Sequence, residues 1–421
     1  MKRIIIILVI FLNAFYSNAQ WNLISSQDTL FFYTDVEVVS DSTIFVCGIQ
    51  YGNGVLLRSQ DMGNSWDTTI FNYDVPHISF PSVNIGYLIE IPDNVYKTVD
   101  GGDSWSLIKD SLYFYRPSMD LLFINADTGY ISSQDNGASL YRTFDGGINW
   151  TQLYDSSLIY GLQSIGGREL IFSNGVLYTN GGGIFLKSSD LGENWISFTN
   201  DSVEDQSNTI DIKGDTIWTA GHVVQNYTPY NHYGVISRSF DGGINWNVIE
   251  YQQYYQFRDI QMISNQKGFM IGGYFSDNIA FYKTVDGGDT WGYQQWIGNN
   301  QLGFYLTAID CFNDSICFAV GSNGSIFKTT NGGGGMTLLS ESLVTINIKL
   351  KIYPNPANDF ISVETEEKST LEIINMQGQI VDTKSLTEKV NNLDLSNLVS
   401  GVYTLRIKTD RGIAIRKLIK Q

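Results

Sequence analysis

The chain has 421 residues, of which 43% are hydrophobic, 14% aromatic and only 16% charged, with 41 glycines. That is enough apolar material for more than one core, and the mix of aromatics, glycine and little charge favours short strands and tight turns over long helices. A formal net charge of −17 repels phosphate backbones, so nucleic acid is excluded as a partner.

In chain order, the first element is a leader. Lys2 and Arg3 precede the apolar run Ile4 to Leu12, and Ser17-Asn18-Ala19 offers small residues for cleavage after Ala19. This is the pattern of an export signal, giving a first segment of 1–19. The run is shorter than the roughly 20 residues a spanning helix needs, and no later stretch reaches that length, so no transmembrane segment is expected.

From residue 20 a nine-residue string recurs: RSQDMGNSW (58–66), KTVDGGDSW (97–105), RTFDGGINW (142–150), KSSDLGENW (187–195), RSFDGGINW (238–246), KTVDGGDTW (283–291) and a decayed KTTNGGGGM (328–336). The rule is Lys/Arg, Ser/Thr, any, Asp, any, Gly, any, any, Trp. The steps between Asp61, Asp100, Asp145, Asp190, Asp241, Asp286 and Asn331 are 39, 45, 45, 51, 45 and 45 residues. Such a period marks a repeat array or a propeller. Catalysis needs one site, not seven, so these aspartates read as structural. Each is expected to accept backbone N–H bonds two residues on and to close a turn, with Gly allowing a positive φ and Trp opening the next strand. Too few acceptors converge for a calcium cage.

The string resembles the Asp-box, or BNR, repeat of sialidases and related β-propellers, and the seven-unit pattern is closer to the photosystem II assembly-factor-like propellers, which are binding proteins, than to the six-bladed sialidases. The fold class this implies for residues 20–343 is all-β, a seven-bladed β-propeller. Blade three reads as "MDLLFI" (119–124), "YISS", "ASLYRT" and "WTQLY", four antiparallel strands named a to d from the inside out. The seventh unit lacks its Trp. The orphan "WNLIS" at 21–25 is therefore expected to supply the outer strand of the last blade and close the ring.

Alternating strand direction puts the boxes, which join c to d, on one face with the a–b turns. The d–a and b–c loops then line the opposite, box-free face. Aromatics crowd those loops: Phe31, Phe32, Tyr33, Phe71, Tyr73, Phe257, Trp296, Phe304 and Tyr305 among them. The long step of the fifth unit is assigned to a longer b–c loop, "GHVVQNYTPYNHYG" (221–234), holding His222 and His232. Arg116 and Arg258 fall just before inner strands. The candidate ligand-binding residues are His77, Tyr115, Arg116, Tyr160, Tyr233, Tyr254, Tyr255, Arg258 and Tyr305, an aromatic rim with a few cations such as a glycan or peptide site uses. No cofactor and no metal is expected: the cysteines and histidines lack zinc spacing. Cys311 and Cys317 bracket "FNDSI", and either face each other as a disulfide across a hairpin or stand as two small buried residues. The enzyme alternative is a surface glycoside hydrolase, sialidase-like or other. Arg116, Arg168 and Arg258 would then imitate the carboxylate-gripping arginines of sialidases. Against it, "FYRP" (114–117) is a poor match to the sialidase arginine string, and nothing selects a pair of carboxylates.

Beyond residue 344 the style changes. Residues 20–344 carry 13 Lys+Arg against 34 Asp+Glu, and residues 345–421 carry 11 against 9. Alternating apolar segments between Gly and Asn turns indicate a small Ig-like β-sandwich over 344–421. Pro354, Asn355 and Pro356, Gly378 in "MQGQIV", Leu395 to Leu398, Gly401, Tyr403 and the terminal Lys417 together resemble the C-terminal sorting domain of type IX secretion cargo. The resemblance implies recognition by the type IX (Por) secretion machinery and a secreted or outer cell-surface location, and leaves open whether the domain is removed or retained after export. The expected function is an exported propeller that binds a glycan or protein ligand on the face opposite its boxes.

Overall fold

The computed structural model describes residues 21–25, 31–91, 94–110, 112, 118–133, 139–155, 169–181, 184–199, 207–227, 230–244, 246–253, 255–274, 278–297, 305–335, 337–338, 351–365, 368–375, 380–409 and 412–421. The expected leader, and the sites at Tyr115, Arg116, Tyr160, Arg168, Tyr254 and Gly378, lie outside them.

Within the body, seven sheets follow one another; in the first six the four blade strands run outward in chain order, and in the seventh the outer strand comes from the N-terminal segment Trp21–Ser25. Their inner strands are Phe31–Val38, His77–Ser79, Ser118–Phe123, Glu169–Ser173, Ser207–Lys213, Tyr255–Met262 and Leu306–Cys311. The middle strands carry apolar residues on both faces because both faces are covered. Gly86–Glu90 of blade two is buried at every position, whereas the outer strand Asp67–Phe71 of blade one is exposed at its first four. The chain therefore has no single central core. Seven apolar clusters each fill the seam between two blades. The last seam joins Tyr33, Val36, Ile44 and Val46 of blade one to Ala308, Phe318, Val320 and Ile326 of blade seven, so the ring is closed.

Closure uses the segment the sequence singled out. Trp21–Ser25 pairs antiparallel with Ile326–Thr329, with Asn22 opposite Lys328. In blade three the residue after the box tryptophan, Thr151, stands opposite the box cation Arg142 in the same way. Trp21 thus occupies the register of the missing seventh box tryptophan. Its ring is fully buried, stacks on Phe281 at 4.3 Å and donates from Nε1 to Gln294 Oε1 at 3.0 Å. Trp296–Ile297 then covers the outside of this strand in parallel pairing.

The boxes are turns, but their chemistry differs from the expectation. Asp61, Asp100, Asp145, Asp190 and Asp286 accept the amide four residues on, not two: Ser65 N to Asp61 Oδ1 at 2.8 Å, Ser104 N to Asp100 at 2.9 Å, Asn149 N to Asp145 at 2.9 Å. The preceding Ser or Thr donates to the carboxylate and accepts from the second Gly-side amide, as Thr98 does from Gly102 at 2.8 Å. The hydroxyl and amide of Ser65 hold the Asp61 carboxyl down at about 2. The box cations have a role the sequence did not show: they staple neighbouring boxes. Arg142 donates to Leu191 O at 2.7 Å, Lys187 to Gly242 O at 3.4 Å, Lys283 to Gly332 O at 2.9 Å, and Lys328 returns to Met62 O of blade one at 2.5 Å. Box glycines also bond their own a–b turns, Gly146 N to Asp127 O at 2.8 Å and Gly332 N to Ser315 O at 2.7 Å. Boxes and a–b turns therefore share one face.

Two details correct the sequence reading. The extra residues of the fifth unit do not form a loop; they lengthen a hairpin, Thr216–Tyr227 with Tyr230–Ser239, in which His222 pairs with Gly234. Tyr33, Phe71 and Phe257, expected on the rim, are core residues, because strand alternation turns them into the seams. The cysteine alternative resolves as a disulfide between Cys311 and Cys317, and Cys47 is a buried free thiol.

The tail is a sandwich of two sheets, one of Lys351–Tyr353, Phe360–Glu364 and Val390–Asp394, the other of Ile380–Leu386, Ser369–Ile374, Gly401–Thr409 and Gly412–Lys420. Inner-facing Ile361, Val363, Leu371, Ile373, Leu405 and Ile407 form one core between them. The Pro354-Asn355-Pro356 loop clasps the last strand: Ile419 N donates to Asn355 Oδ1 at 2.9 Å and Ala357 N to Ile419 O at 2.7 Å. Tyr403 is buried and donates from its hydroxyl to Val399 O at 2.8 Å. Gly401 lies at the start of its strand opposite Lys420, and Lys417 lies opposite Thr404.

Candidate binding face

The inner strands place a set of carboxylates around the central channel. In blades one, three, five, six and seven the pairing of strands a and b slips by one residue near the same point, before Asp35, Asp120, Thr209, Asp259 and Ala308. Such a bulge re-aims the side chain that follows it. The five aspartates of this ring, Asp35, Asp120, Asp211, Asp259 and Asp310, each bridge two amides, that of the next residue and one from the following blade. Asp35 accepts from Val36 N at 2.8 Å and Ile78 N at 3.2 Å. Asp120 accepts from Leu121 N at 2.7 Å and Leu170 N at 2.6 Å. Asp259 accepts from Ile260 N at 2.7 Å and Ile309 N at 2.8 Å. Asp310 accepts from Cys311 N at 2.8 Å and Val38 N at 2.6 Å. Glu169 takes Ile210 N at 2.7 Å, Glu37 takes Phe80 N, and Asp211 takes Met262 N. Between blades two and three a serine substitutes, Ser79 Oγ accepting from Phe123 N at 2.9 Å.

The physical reason is the sheet edge. The innermost strand of every blade has amides with no strand beyond them, and buried amides need acceptors. Carboxylates from the neighbouring blade supply those acceptors and fix the spacing of the blades. Desolvation raises their affinity for a proton, with Glu37 pushed up to about 8 and Asp120 and Asp259 to about 7. Like charges elsewhere in the ring add to the rise, Asp310 of the adjoining blade on Glu37 and Asp259 on Asp120. Among the described residues only Asp211 of this set has a basic partner, Lys213 at 3.1 Å, and no three acidic, His or Cys side chains converge as metal ligands would. A sequence signal existed: "TDVEV" (34–38), "MDLLF" (119–123), "TIDIK" (209–213) and "AIDCF" (308–312) each set an acid inside an apolar strand. Aligning the units on their inner strands rather than on the boxes brings it out.

Above this ring, on the box-free face, the structure gathers part of the predicted set. The guanidinium of Arg258 lies 5.9 Å from the centre of the Tyr305 ring. Tyr305 is 47% exposed and meets Phe32 of blade one at 5.4 Å. Phe31 carries the contact on to Tyr51 at 5.1 Å. Arg258, Tyr305 and Phe32 thus link blades six, seven and one, Phe31 and Tyr51 pair separately within blade one, and Gly324 N of blade seven adds a bond to Phe31 O at 3.0 Å. His77 opens the inner strand of blade two, at the register Asp35 holds in blade one. It is a different seam from the Tyr305 cluster. His222 is buried, with Gln256 Nε2 3.2 Å from its Nδ1. Tyr233 and Tyr255 lie in strands opposite Val223 and Tyr274. Tyr51 was missed by the sequence reading; Tyr73 was counted only as one more loop aromatic. Buried Glu90 holds the Tyr73 loop, accepting from Asn72 N at 2.9 Å and Tyr73 N at 3.2 Å.

Residues 351–421 match the family described as the secretion system C-terminal sorting domain. This domain directs the chain through type IX secretion to the cell surface or exterior. No curated protein matches the chain. Among solved structures the chain is similar to YCF48 bound to a D1 peptide, with 18% identity, TM-score 0.56, and coverage of 74% of this chain and 97% of that one. YCF48 from Cyanidioschyzon merolae is similar at 16% identity and TM-score 0.55, covering 74% and 98%. PorZ, described as an essential surface component of the type IX secretion system of Porphyromonas gingivalis, is similar at 10% identity and TM-score 0.51, covering 94% of this chain and 60% of that one. At these identities the likeness shows the β-propeller fold alone.

Proposed function

We propose that the chain is an exported Asp-box propeller, freed of a leader at residues 1–19, that holds a glycan or protein ligand on its box-free face. The observation that carries this reading is the pair of exposed tyrosines Tyr51 and Tyr305, each resting on a half-buried phenylalanine, Phe31 and Phe32, with Arg258 beside Tyr305, set over a channel whose aspartates are already hydrogen-bonded. Both oxygens of Asp35, Asp120, Asp259 and Asp310 accept backbone amides. With both oxygens tied to backbone amides these aspartates are not free to approach a glycosidic carbon, so the channel supports binding over glycoside hydrolysis. The boxes face the other way and are occupied with each other. That YCF48 has been captured with a peptide is in keeping with a peptide-sized ligand on such a scaffold.

The test is a screen of the full chain on glycan and peptide arrays and on chromogenic glycosides, repeated with Tyr305→Ala and Arg258→Ala. The reading expects a binding signal weakened by either substitution and no turnover. Turnover lost with Asp35→Asn or Asp259→Asn would replace it with the hydrolase.

A further inference from the structure

One residue on the box-free face sits where its side chain type is disfavoured. The b–c turn of blade one is Tyr51-Gly52, with φ +52° and +84°. Both residues are left-handed, the pattern of a two-residue hairpin whose first position prefers Asn, Asp or Gly. The matching turn of blade seven obeys that preference, with Asn323-Gly324 at φ +56° and +60°. A tyrosine in this conformation is strained, and strain of this kind persists where a side chain has a task. Here it delivers a ring that is 54% exposed and touches Phe31 at 74°, edge to face.

A second exposed tyrosine belongs to the same end of this blade. Gly54 lies so near the Tyr73 carbonyl that a Cβ there would fall 1.9 Å from the oxygen. The strand that leaves the turn, Asn53–Ser59, therefore runs directly against the Tyr73 backbone at the same end of the blade. Tyr73 is 55% exposed, and its backbone is held by Glu90, so the ring is presented by a fixed loop. The next residue, Asp74, is half-buried, and among the described residues it forms no ion pair with Lys or Arg. Guanidinium groups already rest against rings in this molecule: Arg142 over Phe144 at 4.2 Å, Arg238 over Phe240 at 4.3 Å and Arg258 by Tyr305. The body as a whole holds 34 acidic against 13 basic residues between 20 and 344.

We propose that Tyr51 and Tyr73, with Asp74 between the blades beside them, form a docking ledge for a basic peptide segment whose Lys or Arg side chains lie on the two tyrosine faces. This rests on the box-free face being the ligand face and names the ligand's chemistry. A cation gains from the ring quadrupole and from the negative field of the body, which also speeds its encounter. An acidic peptide or an anionic glycan is repelled by the same field. The fixed loop and turn spare the ordering cost that a mobile ledge would incur.

The experiment uses the full chain and a fluorescein-labelled Arg-Gly repeat decapeptide, read by anisotropy at 50 and 200 mM salt (roughly a halving of the screening length). Gln-Gly and Glu-Gly decapeptides and a neutral glycan array are the comparison arms. The arginine peptide is expected to bind, to weaken several-fold at the higher salt, and to exceed both other peptides. Tyr51→Asn is expected to weaken binding at least fivefold while leaving the melting temperature unchanged or raised, because Asn suits the turn; Tyr51→Phe retains binding. A merely structural Tyr51 would move stability and not affinity. Equal affinity of Tyr51→Asn, or equal binding of the Gln-Gly peptide, overturns the ledge. No binding of the arginine peptide, with a glycan or other peptide hit sensitive to Tyr305→Ala, overturns the ledge and keeps the box-free reading. Binding abolished by Phe144→Ser or Phe240→Ser and untouched by Tyr51→Asn overturns both.

Discussion

Removing the Trp21 side chain should open the ring. The indole is fully buried, stacks on Phe281 at 4.3 Å and meets Phe269 edge-on at 6.2 Å. Truncating a buried Trp to Ala costs about 3–5 kcal/mol. The change also strands Gln294 Oε1, which accepts the indole N–H inside a fully buried side chain whose Nε2 is committed to Gly332 O at 2.8 Å. An orphaned buried acceptor adds about 1–3 kcal/mol. Allowing for overlap of the two effects, Trp21→Ala should cost about 4–6 kcal/mol, and Trp21→Phe, which keeps the stack and loses the hydrogen bond, about 1–3 kcal/mol. Guanidinium unfolding followed by tryptophan fluorescence reports the body alone, since all nine tryptophans lie between residues 21 and 296. Trp66→Ala is the comparison, because its indole is only half-buried and its blade has its own four strands. A Trp21→Ala loss under 1 kcal/mol, or no larger than that of Trp66→Ala, would refute the reasoning.

Stability should fall as pH rises from about 5 to about 8.5, read as melting temperature. The Glu37, Asp120 and Asp259 carboxyls hold protons up to about 8, 7 and 7 in the fold but release them near 4 when unfolded, so their contribution is complete below about 4 and is lost through 7–8. Glu37→Gln should flatten that slope. The box carboxyls act in the opposite sense: Asp61, Asp100 and Asp190 are held down at about 2, so their contribution is present above about 4 and lost as pH falls toward 2. Together these place the optimum at about pH 4–5, which a pH series of melting curves checks. Removing the disulfide by Cys311→Ser with Cys317→Ser closes no loop in the unfolded chain and should cost about 2 kcal/mol for so short a loop, measured by denaturation with and without reductant. Asn355→Ala breaks the clasp on Ile419 N, worth about 1 kcal/mol, and should reduce the surface fraction of the protein in cell fractionation.

The ring was legible because its parts repeat. Seven copies of one turn, and a lone Trp-led strand before the first of them, define blade number and closure without any long-range reasoning. The tail was legible from alternation and from motif residues that the fold brings together, Asn355 against Ile419. The site was far less so. Its rim loops have no period to read, and a tyrosine in a left-handed turn looks from sequence like any loop aromatic. Tyr33, Phe71 and Phe257 were misassigned because a one-residue error in where a strand starts exchanges rim for core. The inner carboxylates were overlooked because an acid in an acidic chain draws no notice until its register is known.

The closed ring itself can be read amide by amide. Val38, Ile78, Phe123, Leu170, Ile210, Met262 and Ile309 each donate across one seam to a side chain of the preceding blade. Residue-resolved hydrogen exchange of the full chain should find Val38, at the seam between blades seven and one, protected to the same degree as the other six. Exchange of Val38 at the rate of an unstructured peptide, with the other amides protected, would mean that the ring does not close.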